Sequence, residues 1–271
     1  MAEAELSGAS RLLAVSDLHV GYPENEAIVA ELKPVTPGDW LLVAGDVGER
    51  LEGITWALSL LASRFERVVW VPGNHELWTV PGEPPELRGV ARYEHLVRTC
   101  RELGIVTPED EYPLWEGAGG PVRIVPLFLL YDYTFLPPGH HTKESALTYA
   151  HSTGVVCTDE YVLHPDPYPT REAWCAARVA LTSRRLAELD DDVPLVFVNP
   201  LSAGARADGR PALSAVRAVV RHHGHARLAP PSPHGRHDLR SPAHPARHLV
   251  RRGALRGGLA GLPEGVEAAP G

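Results

Sequence analysis

Three short strings in this 271-residue chain carry side chains that can hold a metal ion: Ser-Asp-Leu-His at 16–19, Gly-Asp-Val at 45–47 and Gly-Asn-His-Glu at 73–76. Asp17 and His19 are two apart, so on a locally extended backbone both side chains point the same way. Asp46 follows Gly45, a residue that lets the chain turn sharply out of a strand. Asn74 offers a neutral amide oxygen, and His75 an imidazole that need not touch a metal. Carboxylate, imidazole and amide oxygen together suit Mn, Fe or Zn better than a thiolate site would. A further candidate is the stretch RHHGHARLAPPSPHGRH at 221–237, which holds five of the fourteen histidines.

Each string taken alone is a common turn. What joins them is the elements they follow. The runs RLLAVS (11–16), WLLVAG (40–45) and RVVWVPG (67–73) are short, apolar and closed by Gly or polar residues, as buried strands are. Between them lie helical patterns at 24–33, with Ile28 and Leu32 four apart, and at 53–65, with Ile54, Ala57, Leu58 and Leu61 on one face. This β-α-β-α-β series predicts a parallel sheet, and loops at the carboxyl ends of neighbouring parallel strands converge on one crevice. Further helices are predicted over 88–103 and 171–189, the second capped by Thr170, and further strands over 122–130 and 194–199. The aromatic segments at 129–135 and 164–174 read either as pocket walls or as core and turn.

In this order and spacing, SDLH, VAGDV and VPGNHE resemble the calcineurin-like metallophosphoesterases over residues 11–199. The resemblance implies an α/β fold, an αββα sandwich, with two divalent metal ions (Mn, Fe or Zn) in the crevice. Asp17 and His19 would hold the first ion, Asp46 would bridge both, and Asn74 would hold the second. His75 would be the catalytic residue, stabilising charge on the phosphate or protonating the leaving oxygen. A bridging hydroxide would attack phosphorus in line, because coordination lowers the pKa of water towards neutrality. The implied partner is a phosphoester substrate, with nucleic acid relevant only as such a substrate.

The resemblance also implies three more histidines, one in an Asn-His-x-Pro context after the last strand and two in a later Gly-His-x-His. The chain reads VFVNPLSAG at 196–204 instead, and its nearest later string, HHGHAR at 222–227, has Arg227 where the second histidine belongs. Composition breaks at the same point. Residues 1–199 carry 15 Lys and Arg against 30 Asp and Glu, whereas 200–271 carry 11 Arg, no Lys and 4 acids, and all 18 aromatic residues lie at or before Phe197. Such a tail does not build a core. Its Arg, Ala, Gly, Pro and His are residues that GC-rich codons encode, as in a gene read out of frame. With one base inserted after the Asn199 codon, Val219-Val220-Arg221 regroups to Trp-Cys, and Asp238 through Ala246 to Thr-Tyr-Gly-His-Leu-His-Ile-Pro. The histidine-rich stretch thus reads as a frame-shifted echo. Residues 1–199 are expected to form the domain, 200–271 a basic disordered tail, the second sheet to be incomplete and hydrolysis to be impaired.

Cys100, Cys157 and Cys175 are odd in number and form no Cys-x-x-Cys, which fits reduced thiols and a cytoplasmic protein. The longest apolar run, at 122–131, is far too short to span a bilayer, so no membrane partner is expected. A second function class stays open: a non-catalytic metal- or phosphate-binding module whose basic tail recruits anionic partners.

Overall fold

The computed structural model describes residues 9–117, 120–134, 136–189 and 193–200. The first sheet forms where the apolar runs predict it, from β1 (Leu12–Val15), β2 (Trp40–Ala44) and β3 (Arg67–Val71). All its pairings are parallel, with β2 in the middle. Helices α1 (Pro23–Glu31) and α2 (Leu51–Ala62) connect these strands, and α3 (Gly89–Glu102) follows β3. The second sheet is built from β4 (Leu114–Trp115), β5 (Val122–Pro126) and β6 (Leu195–Val198), with β4–β5 antiparallel and β5–β6 parallel. Helices α4 (Lys143–Ser152), α5 (Asp159–Val162) and α6 (Arg171–Ala187) lie between β5 and β6 in the chain.

Alternation along each strand divides the side chains between layers. In β3, Val68 and Trp70 join the core beneath α2 and α3, while Val69 and Val71 join Trp115, Ile124 and Val198 between the two sheets. In β5, Ile124 faces the same inter-sheet core, and Val125 faces a third cluster that includes Leu186 of α6. The layers therefore run helices, sheet, sheet, helix. Ile54, Ala57, Leu58 and Leu61 of α2 are fully buried, as their spacing predicts. Each of the three large ones contributes about 1.5–3 kcal/mol by leaving water. Thr170 caps α6 by accepting a hydrogen bond from the Ala173 amide at 3.1 Å.

Three expectations need correction. In α1 the buried residue is Val29, and Ile28 is 42% exposed, so the helix presents a face one position away from that predicted. The strand expected over 122–130 stops at Pro126, which has no amide hydrogen to continue a ladder, although the Leu127 amide still donates to Val198 at 2.9 Å. Helices α4 and α5 and strand β4 were not foreseen. The expected incompleteness of the second sheet beyond β6, and the basic tail from 201 onward, fall outside the described residues.

Candidate metal centre

Past the ends of the strands, the three loops are tied together before any ligand is considered. The first two run side by side: the Asp17 amide donates to Gly45 at 3.1 Å, His19 to Asp46 at 2.9 Å and Val20 to Val47 at 2.9 Å. The second and third meet at the buried carboxylate of Glu76, which accepts from the amides of Asp46 (3.0 Å), Val47 (2.8 Å) and Gly73 (2.8 Å). Burial and then the charge of Asp46 push this carboxyl up to about 7, against the pull of those amides. Gly73 is required by packing, since a Cβ there would lie 2.1 Å from Asp46 Oδ1. Gly45 adopts φ +77°, and a Cβ on it would meet the Gly73 amide at 2.7 Å and the Pro200 ring at 2.5 Å. Arg92 of α3 locks the arrangement from beneath. It donates to the main-chain oxygen of Glu76 at 2.7 Å, to that of Glu49, and to the Glu83 carboxylate at 2.8 Å.

His19, Asp46 and His75 each offer one ligand atom, and these atoms lie within 4.8 Å of one another. Metal–nitrogen and metal–oxygen bonds of about 2.0–2.2 Å separate ligands around one ion by up to roughly 4.4 Å, so the set is slightly wider than a bound ion would hold it, while its imidazole and carboxylate donors are of the type that suits a divalent cation. Asp17 is not in that group, though its charge is near enough to raise both His19 and Asp46. The backbone explains the difference. Asp17 and His19 have φ 54° and 43°, so the stretch is not extended and the two side chains do not simply run parallel. Asp46 shares this left-handed conformation at φ 55°. Such backbone is uncommon outside glycine and clusters at functional sites. His75, expected to stay off the metals, is a member of the converging set. Asn74 sits beside it, its amide nitrogen 2.9 and 3.2 Å from the two carboxylate oxygens of Asp159.

Glu49, three residues after Asp46 in the same loop, belongs to the site although no motif singles it out. Its Oε1 is 2.7 Å from His75 Nδ1 and 3.8 Å from His19 Nδ1. The two imidazoles, His19 foremost, hold the Glu49 carboxyl well below the usual range, and Glu49 in turn raises His19. Asp46 is raised, chiefly by burial. With Nδ1 of His75 engaged by Glu49, Nε2 is the ring atom left for chemistry. The indole of Trp78 stacks on His75 with ring centroids 3.9 Å apart. Glu49 and Trp78 also line a cleft of about 950 Å³, whose other walls include Tyr22, Arg50, Trp56 and Val80. Of the segment at 129–135, the described residues 129–134 line neither this cleft nor the ligand cluster; Tyr131 and Tyr133 instead donate to Asp159 and Glu160.

The sandwich and its crevice define a metal-dependent phosphoesterase architecture, and the chain belongs to the calcineurin-like phosphoesterase family, which matches residues 10–204. It is 53% identical over 188 residues to the acyl-carrier-protein phosphodiesterase PptH of Mycobacterium tuberculosis (strain ATCC 25618 / H37Rv), a match covering 69% of this chain and 58% of that relative. The crystal structure of phosphopantetheinyl hydrolase (PptH) from Mycobacterium tuberculosis aligns with a TM-score of 0.69 and 52% identity, covering 72% of this chain and 69% of that one. The chain thus matches less than two thirds of the length of its curated relative. Among the described residues, no helix is long and apolar enough to cross a membrane.

Proposed function

We propose that this chain is a metal-dependent phosphodiesterase directed at the phosphopantetheine linkage of a carrier protein, and that it is impaired as it stands. The observation that carries the chemistry is the convergence of His19, Asp46 and His75 at the ends of parallel strands, with Glu49 on the far side of His75. The substrate reading draws on the activity for which the 53% identical relative is named. The adjoining cleft supports it, being roomy and walled by aromatic and aliphatic groups as sites for organic ligands are.

In this reading Asp17, His19 and Asp46 would hold one divalent ion, with Asp17 turning in from beside the converging set, and Asp46 and Asn74 would hold a second. Mn, Fe or Zn all suit the donor set. When bound, the pair of ions lowers the pKa of water and polarises the phosphoryl oxygens. The chain's own residues do the rest. Glu49 accepts the Nδ1 proton of His75 and so fixes the ring, leaving Nε2 as the atom that takes up a further proton and passes it to the leaving oxygen. Trp78 keeps the ring from tilting, and the cleft takes the neutral arm of the ester. The impairment follows from Pro200, whose side chain has no metal-binding atom where the family pattern has histidine, and from the lack of a Gly-His-x-His in this sequence. We assign the catalytic domain to residues 1–199 and the protein to the cytoplasm, in keeping with the free thiols of Cys100, Cys157 and Cys175.

The test is Mn²⁺-dependent turnover of bis(4-nitrophenyl) phosphate, alongside release of phosphopantetheine from a holo carrier protein. Slow turnover abolished by a chelator is expected. Tight Mn²⁺ binding without any turnover would favour the binding-module class instead.

A further inference from the structure

The amide of Asn74 can face the metal site in two ways, and only the oxygen is a ligand. Its partner settles which way it turns. Asp159 offers acceptors alone, so the Asn74 group 2.9 and 3.2 Å from its two oxygens must be the NH₂. A flipped amide would set oxygen against carboxylate with no proton between them. Asp159 is itself held from several sides. It is 7% exposed, it accepts from Trp78 Nε1 at 2.6 Å and from the Tyr131 hydroxyl, and Arg171 donates to its main-chain oxygen. Bonds to an ionised acceptor are stronger than neutral ones, so the carboxylate is poorly free to turn away. The same group therefore holds the nitrogen of Asn74 and the indole that stacks on His75.

We propose that Asp159 is a positioning residue of the metal centre: by gripping the NH₂ of Asn74 it leaves the amide oxygen as the atom that coordinates. The proposal rests on Asn74 being a ligand, as the functional reading has it. Nothing in the sequence near 159 announces this role, because the partner lies 85 residues away along the chain.

Mn²⁺ binding to the full chain, measured by titration calorimetry without substrate, separates the possibilities. Asp159→Ala and Asn74→Ala should each weaken the weaker Mn²⁺ site by about 10-fold or more, the scale on which outer partners of metal ligands act. The double variant should be no weaker than Asn74→Ala alone, since Asp159 acts through that amide. Asp159→Asn keeps an oxygen for Asn74 and Trp78 and turns its NH₂ to Tyr131, so its affinity should stay close to the parent. Tyr131→Phe, which leaves the fold's core intact, should give a smaller loss that also vanishes in the Asn74→Ala background, and it serves if Asp159→Ala does not fold. Equal losses for Asp159→Asn and Asp159→Ala would mean that the charge acts, not the orientation. Additive losses in the double variant would mean an independent structural role, and either result overturns the proposal. If Asn74→Ala leaves Mn²⁺ binding unchanged, or the parent chain binds none, the ligand assignment itself has failed.

Discussion

The two sheets reach the same crevice with unequal equipment. Every strand of the first sheet runs into a loop with side chains able to bind metal, and those loops are knotted by Glu76 and Arg92. In the second sheet, β5 runs on into Leu127 and Leu129, both buried in the outer core. Strand β6 ends beside the site, and the Pro200 ring lies so close to Gly45 that a Cβ on that glycine would be 2.5 Å away. Backbone geometry and ligand supply are therefore separable. The second sheet arrives beside the candidate site but brings a pyrrolidine ring where the proposed reading calls for a donor.

The largest effect should come from repairing that deficit. Deleting one base after codon 199 should exchange the tail for one containing Gly-His-Leu-His and place histidine directly after Asn199. Metal-dependent diesterase activity should then rise by at least about 100-fold, the upper scale of changes around a metal. A parent chain that already matches the repaired one in kcat/KM would break the comparison between the sheets and the out-of-frame reading with it.

The first sheet can be broken in turn. Asp46→Asn removes the proposed bridge, so Mn²⁺ affinity should fall by more than the roughly 10–100-fold typical of outer partners. Loss at one site with the other unchanged would show that Asp46 does not bridge. Beneath the loops, Arg92→Leu strands Glu83 without its buried partner, which should cost about 3–5 kcal/mol in urea unfolding. A smaller effect is expected for Glu49→Gln. It keeps a hydrogen-bonding side chain beside His75 but removes the charge, and kcat should drop roughly 10-fold, the lower scale for a partner that acts through another residue. Metal content, read by elemental analysis, should change little.

How much of this was legible depends on range. The parallel sheet and its three ligand-bearing loops could be read because periodicity and strand-end motifs are local signals. Helix α4 was missed although Thr142 and Ser145 form a reciprocal cap, because its apolar pattern is weak and only Ala146 is buried. Glu49, Arg92 and Asp159 could not be singled out by type, since each works through a partner 16 to 85 residues distant. The parallel disposition of Asp17 and His19 was misjudged because left-handed backbone at both positions is imposed by the loop pairing with Gly45 and Asp46, a tertiary constraint.

The smallest predicted effect concerns the opposite end of the first sheet and serves as a control on all the others. There Asp39 joins the starts of the strands: its carboxylate accepts from the amides of Arg11 (2.8 Å), Val35 (2.7 Å) and Thr36 (3.0 Å) and from the Thr36 hydroxyl (2.5 Å). Burial alone would raise its pKa, but these donors outweigh burial and hold it below the ordinary value. A carboxyl depressed in the folded state binds its proton more readily when unfolded. Its contribution is therefore fully present above the unfolded value near 3.9 and is lost as pH falls through the lower folded one. Asp39→Asn should cost on the order of 1–3 kcal/mol near neutral pH, as loss of hydrogen bonds to a charged group does, and the gap from the parent should narrow below about pH 4. Mn²⁺ affinity should not move, because Asp39 lies at the amino-terminal ends of strands whose carboxyl ends carry the site. If the Asp39→Asn variant melts lower but also loses metal, the sheet transmits distortion along its length, and the losses predicted for the crevice residues no longer report on ligation alone.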